Sequence, residues 1–384
     1  MATRSRSKAK TDKAKAKNAK AGAGTGKGGT GKVATSAFTA PVVGFGVLVL
    51  VCAVVGAGYL IYARNRSESD AQRGLVKVQT APAGSLAKFM DEPHLMFRST
   101  GLGNTYGAVA VTPVSAMGGP RAFTKMDCER VAYTNGRGMC MTVNRGAFTS
   151  SGLDIFNAKL RQLHHIDLPG IASRARVAPN GKVGAFTVFV TGDSYASNSF
   201  STRTDFVDLM KGKVIDNLEQ FDVTKNGKKV QSVDRNYWGV TFGSDSNTFY
   251  ATLSTGGKTY LIKGSLRDHS AQVIHDAVEC PGLSPDGTRI AYKHREGGQI
   301  VSGVSQAVRW RLHVLDLQTG KDVELAETRS VDDQPMWFDN KTVGYAIPHA
   351  ATGTAATDIY RVPADGSGKP KLVVASGWSP TLVP

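Results

Sequence analysis

Two short phrases recur in this chain at nearly the same distance, and that recurrence restricts the fold more than any other feature. "SPDGTRIAY" at Ser284–Tyr292 is echoed by "APNGKVGAF" at Ala178–Phe186, offset by 106 residues. "VLDLQTGK" at Val314–Lys321 is echoed by "FVDLMKGK" at Phe206–Lys213, offset by 108. Both offsets fit two units of about fifty residues. Weaker copies begin at Thr241 ("TFGSDSNTFYATL"), Trp337 ("WFDNKTVGYAI") and Trp378 ("WSP"). Such a period marks a supersecondary unit that buries its apolar face only by stacking on its neighbours.

The unit's local chemistry is that of strands joined by tight turns. Ser284 suits the first turn position, Pro285 fixes φ at the second, and Asp286 and Gly287 suit the positions that follow. Arg289, Ala291 and Lys293 then alternate with Ile290 and Tyr292, which predicts a strand. Gln318–Lys321 turns the next hairpin, and Val183–Val190 is apolar on both faces, as a strand between neighbouring sheets requires. From His94 to Pro384, short runs of Val, Ile, Tyr, Phe and Thr are broken by Gly, Asn and Asp, the pattern of an all-β domain. About 290 residues in units of about fifty predict a propeller of six blades.

The repeat resembles that of the TolB-like, PD40 (WD40-like) β-propellers. The carrying residues are Leu283 to Tyr292, with Asp316 and Gly320 in the following hairpin. More narrowly, "VECPGLSPDGTRIAYK" and "LAETRSVDDQ" are similar to membrane-anchored TolB-like proteins of actinobacteria. The resemblance covers His94 to Pro384. Only the copy at Ser284, Pro285, Asp286 and Gly287 is complete, so the blades before Asp154 are placed by spacing alone. It implies a six-bladed TolB-like β-propeller. Because TolB works as a protein-interaction module of the envelope, it also implies a binding or scaffold role on a fold that serves many others. The chain ends in "GWSPTLVP", which begins like another unit and stops. One strand is too little for a blade, so Ser379–Val383 is expected to join the sheet built from His94–Val114 and close the ring.

Ahead of this domain the composition changes twice. Residues 1–37 hold ten Lys or Arg and one acid, Asp12, which accounts for +9 of the formal net charge of +16. This basic cytoplasmic tail has almost nothing to pack and is expected to be disordered. No charged residue then occurs between Lys32 and Arg64, and Val42–Tyr62 is apolar or Gly throughout. At 1.5 Å per residue this run matches a bilayer core of about 30 Å. It is longer, and starts later, than the apolar core of a cleaved signal peptide. Residues 38–63 are therefore expected to be a transmembrane signal anchor, with 64–93 a juxtamembrane linker and 94–384 the propeller. The charge excess in the tail places it inside and the propeller outside. Lys27-Gly28-Gly29-Thr30-Gly31-Lys32 looks like a phosphate loop. It lacks a preceding strand, a following soluble helix and the Ser or Thr that would hold magnesium, a position taken by Val33.

The four cysteines divide by location. Cys52 lies in the apolar run, while Cys128 and Cys140 bracket "CERVAYTNGRGMC", which predicts strand, Asn-Gly turn, strand. A Cys128–Cys140 disulfide is expected on the oxidising side of a membrane, worth about 3 kcal/mol in the chain-entropy account. Cys280 is then left over.

No motif assigns a reaction. There is no GxSxG elbow and no HExxH helix, and no residue is assigned as catalytic, cofactor-binding or metal-binding. His164-His165 sits in a predicted strand with side chains on opposite faces, one expected to be buried or hydrogen-bonded. Asp332-Asp333 is expected to pair with Arg329, with calcium at a blade rim as the alternative. Trp238, Trp310, Trp337 and Trp378 are expected to pack between blades. The favoured reading is a protein- or peptide-binding module at one propeller face, with no nucleic-acid partner. The alternative is a hydrolase or lactonase-like enzyme sited in the channel. "VTGDSYASNSFSTRT" at Val190–Thr204 and "HREGGQIVSGVSQAVRW" at His294–Trp310 lengthen connections on the expected partner face. What lines the channel decides between the two readings.

Overall fold

The computed structural model describes residues 45, 48–61, 78–146, 149–190, 201–297, 300–301, 304–305, 308–349 and 356–384. The chain divides into two units, Met1–Arg64 and Asn65–Pro384. In the first, residues 48–61 are helical, with exposed side chains throughout. No helix among the described residues is long and apolar enough to cross a membrane. The ends of the Val42–Tyr62 run, and the basic tail, lie outside the described residues.

In the second unit, strands assemble into six sheets of four or more strands, arranged as the blades of a propeller. The innermost strands are Gly377–Val383, Arg130–Thr134, Ile171–Val177, Asn236–Phe242, Glu279–Leu283 and Met336–Asp339, from first blade to sixth, each beside the next around the axis. The fourth blade is widened by the hairpin of Asp222–Lys225 and Lys228–Lys229, which adds to Ser270–Asp276 in parallel. Within the expected linker, residues 64–77 lie outside the described residues. Its second half packs on the first blade: helix α1 (Ser85–Met90) sets Leu86, Phe89 and Met90 against the apolar cluster that holds Met96 and Val111.

The core is six apolar clusters, one at each seam between successive blades. This explains the strands that are apolar on both faces. In His94–Ser99, Phe97 packs toward the sixth blade and Met96 toward the second, both fully buried. Burying a side chain of this size contributes about 1.5–3 kcal/mol. The last seam is sealed as the sequence suggested. Gly377–Val383 pairs antiparallel with His94–Ser99, from His94 opposite Val383 to Ser99 opposite Gly377. The closure is reinforced by Thr357 N–H donating to Thr100 Oγ1 (3.0 Å) and by Arg121 Nη2 donating to the Ala375 carbonyl (2.7 Å).

The turns behave as their residues demand. Asn135 and Gly136 have φ of 46° and 77°, the left-handed pair of a tight hairpin turn. That hairpin carries the disulfide between Cys128 and Cys140. Asp286 accepts from Ser284 and Thr288, and Gly287 takes φ of 72°. Hydrogen bonds to this carboxylate, from Ser284 first, hold its pKa down at about 2. The same turn reaches the next blade, where Asp286 N–H donates to Asn340 Oδ1 (3.0 Å). Asn135 to the Asn180 carbonyl and Asn180 N–H to Ser246 are equivalent links between earlier blades. The repeat's polar turns therefore bind blade to blade on one face of the disc.

Deleting Gly377–Pro384 removes the innermost strand of the first blade and uncovers Leu95 and Phe97, both fully buried. The truncated chain should lose its cooperative thermal transition and aggregate. A melting curve like that of the intact chain would contradict the closure.

Candidate functional site

Side chains from four blades converge where the innermost strands begin. Arg130 comes from the second blade, Arg174 and Arg176 from the third, Glu279 and Cys280 from the fifth, and Asp332, Asp333 and Gln334 from the segment entering the sixth. Strand periodicity explains the third blade's share: Arg174 and Arg176 are two residues apart and share one face. Arg130, Arg174, Arg176, Asp333, Gln334 and Ser379 line a channel whose free space is about 10 Å³, room for about one water.

The segment 332–334 lies across this channel and ties the blades together. Gln334 Nε2 donates to the carbonyls of Pro281 (2.8 Å), Gly239 (3.1 Å) and Val240 (3.2 Å). Asp333, buried, pairs with Arg130 (3.3 Å) and accepts from Ala346 N–H. Asp332 pairs with Lys293, whose ammonium also lies 3.9 Å from Glu279 and over the Trp310 ring. Glu279 further accepts from Trp310 Nε1 (3.2 Å) and pairs with Arg295 (2.6 Å). The expected Arg329 partnership is thus corrected. Arg329 pairs with Glu327 (2.6 Å), Asp333 lines the channel, and Asp332, exposed, pairs with Lys293. Tertiary placement decides this, because the strand that follows turns 332–334 inward.

Electrostatics at the site are those of crowded positive charge. Burial, then the charge of Arg174, brings Arg130 down to about 10 despite Asp333. Burial also lowers Arg176, with Arg174 adding to it. Burial pushes Arg174 down too, but neighbouring Cys280, Asp333 and Asp332 outweigh it and hold it up. Cys280 has no disulfide partner, is buried, and takes a left-handed φ of 51°.

The tryptophan expectation divides. Trp238 and Trp337 are buried between blades, and Trp337 Nε1 donates to the Gly282 carbonyl (2.8 Å). Trp378 packs, half-buried, on the seam of the sixth and first blades; it and Trp310 also receive the cations Arg130 and Lys293 on their faces, at 4.5 Å each, as Trp337 receives Arg289 at 5.2 Å. The His pair lies on the strand Gln162–Leu168, and neither ring is buried. His164 contacts the Met210 carbonyl (3.1 Å) and His165 contacts Asp154 (2.6 Å). No group of three or more His, Cys, Asp or Glu side chains is placed to hold a metal among the described residues.

The antiparallel blades set which loops surround the mouth. Connections from second to third strand emerge on the face where innermost strands begin. Both lengthened connections are of this kind: one runs from Val190 to Ser201, the other from Glu296 to Arg309. Residues 191–200 and most of 298–307 lie outside the described residues. The Asp286–Gly287 and Gln318–Gly320 turns lie on the opposite face.

A second polar site lies between the third and fourth blades. Glu219 and Arg235 line a cleft of about 260 Å³, with the buried Tyr237 hydroxyl behind them. Burial raises the Glu219 carboxyl to about 7, only partly offset by backbone donors that include Thr204 N–H (3.3 Å). Among the described residues its Oε2 and the Tyr237 hydroxyl have no hydrogen-bond partner. Since the folded pKa lies above the unfolded 4.5, this stability is fully present below pH 4.5 and lost as pH rises through 7. Glu219→Gln should therefore flatten the loss of stability between pH 5 and 8, by up to about 3 kcal/mol at the alkaline end. Urea unfolding of both proteins across that range checks it, and parallel pH profiles would contradict it.

No protein-family model matches the chain, and no curated protein matches it in sequence. Its fold is similar to solved propellers. TolB from Acinetobacter baumannii aligns at TM-score 0.53 and 15% identity, over 76% of this chain and 66% of that one, just under two thirds. A chain of a nidogen/laminin complex aligns at 0.49 and 10% identity, over 76% and 98%. An oligogalacturonate lyase in complex with manganese aligns at 0.42 and 7% identity, over 68% and 77%. At these identities the likeness shows the fold alone: a six-bladed β-propeller of the kind TolB has.

Proposed function

We propose that the chain is a membrane-anchored propeller, held outside the cytoplasm, whose channel mouth docks a protein or peptide partner as a binding or scaffold module of the cell envelope. The observation that carries this reading is the composition of the mouth. Arginines, a lysine, Trp310 and Trp378 converge there, and both lengthened connections leave from the same face. Arg and Trp are the side chains that dominate binding energy at protein interfaces. A catalytic channel of the lactonase kind would gather carboxylates or imidazoles onto a metal, whereas here the carboxylates are engaged by the cations.

The anchoring rests on the 21 apolar or Gly residues of Val42–Tyr62 and the ten basic residues behind them. The Cys128–Cys140 disulfide fits an oxidising compartment. The 66% coverage of TolB leaves that protein's own partners as a guide only.

The test places a photo-crosslinking residue at Arg309, exposed on the mouth face, or at Gln318, exposed on the opposite face. In cells, adducts should form from Arg309 and not from Gln318. Equal recovery from both positions, or recovery from Gln318 alone, would contradict docking at the mouth.

A further inference from the structure

The ion pairs at the mouth do not balance. Arg130 is matched by Asp333, Lys293 by Asp332, and Arg295 by Glu279. Arg174 and Arg176 have no carboxylate within ion-pair reach among the described residues. Arg174 Nη1 donates to the Ser173 carbonyl (2.9 Å), and its Nε is buried without a partner. Arg176 Nη2 donates to the Pro335 carbonyl (3.1 Å). Against burial, Cys280, Asp333 and Asp332 hold Arg174 charged without a direct ion pair, and burial lowers Arg176, so in this dehydrated site the charge most in need of a partner is that of Arg176, with Arg174 beside it on the same strand face. Burial first, with the charge of Arg174 adding to it, lowers Arg130 and Arg176.

The site also shows what kind of anion it takes. Asp333, only 2% exposed, already seats a carboxylate among these guanidiniums. The free space beside the guanidiniums is that of about one water, so an entering acidic group would place an oxygen where a water fits. Guanidinium forks pair with carboxylates through two parallel hydrogen bonds, which a lysine cannot supply. Trp378 lies against Arg130 and Trp310 against Lys293, so each cation of these pairs rests on an indole face beside the site.

We propose that the channel mouth is a carboxylate-binding site in which Arg174 and Arg176 hold an acidic group of a peptide. This rests on the docking reading above and narrows it to one chemistry. The ligand is a peptide with an accessible carboxylate, from an acidic side chain or a free C-terminus. It completes the pairing that Asp333 leaves unfinished.

The experiment uses the full-length chain in detergent at near-physiological salt. The probe is a fluorescent hexaglutamate peptide with a free C-terminus, read by anisotropy. Saturable binding is expected, weakened about tenfold or more by Arg174→Gln or Arg176→Gln, as loss of a paired charge-assisted contact predicts. Arg174→Lys should restore only part of it, and Lys341→Gln, on the opposite face, should leave it unchanged. Arg176→Gln carries the test if Arg174→Gln fails to show a native thermal transition. Glutarate should compete better than inorganic phosphate at equal concentration. Equal weakening by Lys341→Gln, equal competition by phosphate, or no saturable binding would each overturn the proposal. Adducts from Arg309 that persist without peptide binding would overturn this inference and leave the docking reading standing. Loss of both would overturn both.

Discussion

The pairing of Gly377–Val383 with His94–Ser99 is the contact on which the rest of this molecule depends. A propeller has no single core. Its apolar side chains lie in six seams, and each blade needs a neighbour on both sides. An open ring would leave Phe97 and Ile359 facing water, and an innermost edge free to pair with another chain. One strand from the end of the chain, set inside three from the start of the domain, removes both exposures. Bonds from Arg121 to Ala375 and Ser376, and from Thr381 to the Tyr133 carbonyl, then hold that strand from two sides.

Closure also creates the site. Innermost strands that run side by side around one axis point some of their side chains at that axis. Arg130, Arg174 and Asp333 are up to 203 residues apart in the chain and meet only because the ring is shut. The bar of Asp332, Asp333 and Gln334 across the channel belongs to the same arrangement. It joins the second, fourth, fifth and sixth blades through an ion pair and three hydrogen bonds. Positive charge is thus concentrated at one mouth of the disc, while the opposite face carries the Ser, Asp, Asn and Gly turns that fasten blade to blade.

The parts legible in the sequence are those set by local chemistry or by period. The turn at Ser284–Gly287, the Asn135-Gly136 hairpin with its disulfide, the two-faced apolar strands and the closing strand all follow from neighbouring residues or from the unit length. Meetings between distant segments were not legible. Asp332-Asp333 reads as a partner for nearby Arg329, yet Asp333 is buried in the channel against Arg130 and Asp332, exposed, pairs with Lys293. Trp310, Trp337 and Trp378 carry the same local signature, and only the ring sets Arg130 of the second blade against Trp378 of the first. One signal was available. "SRARV" sets Arg174 and Arg176 on one face of a strand whose Ser173 and Ala175, on the other face, are buried, a charge pair that a propeller can direct only to its rim or its axis. Glu219 left no such trace, since its shifted carboxyl comes from the seam that covers it.

Native-state hydrogen exchange on the intact chain tests ring closure most directly. Each amide's opening free energy distinguishes a strand built into the fold from a frayed terminus. The amides of Gly377–Val383 that bond to His94–Ser99 should open only with global unfolding, at the same free energy as those of Arg130–Thr134 in the next blade. Rapid exchange along Gly377–Val383, with protection kept in Arg130–Thr134, would contradict the account.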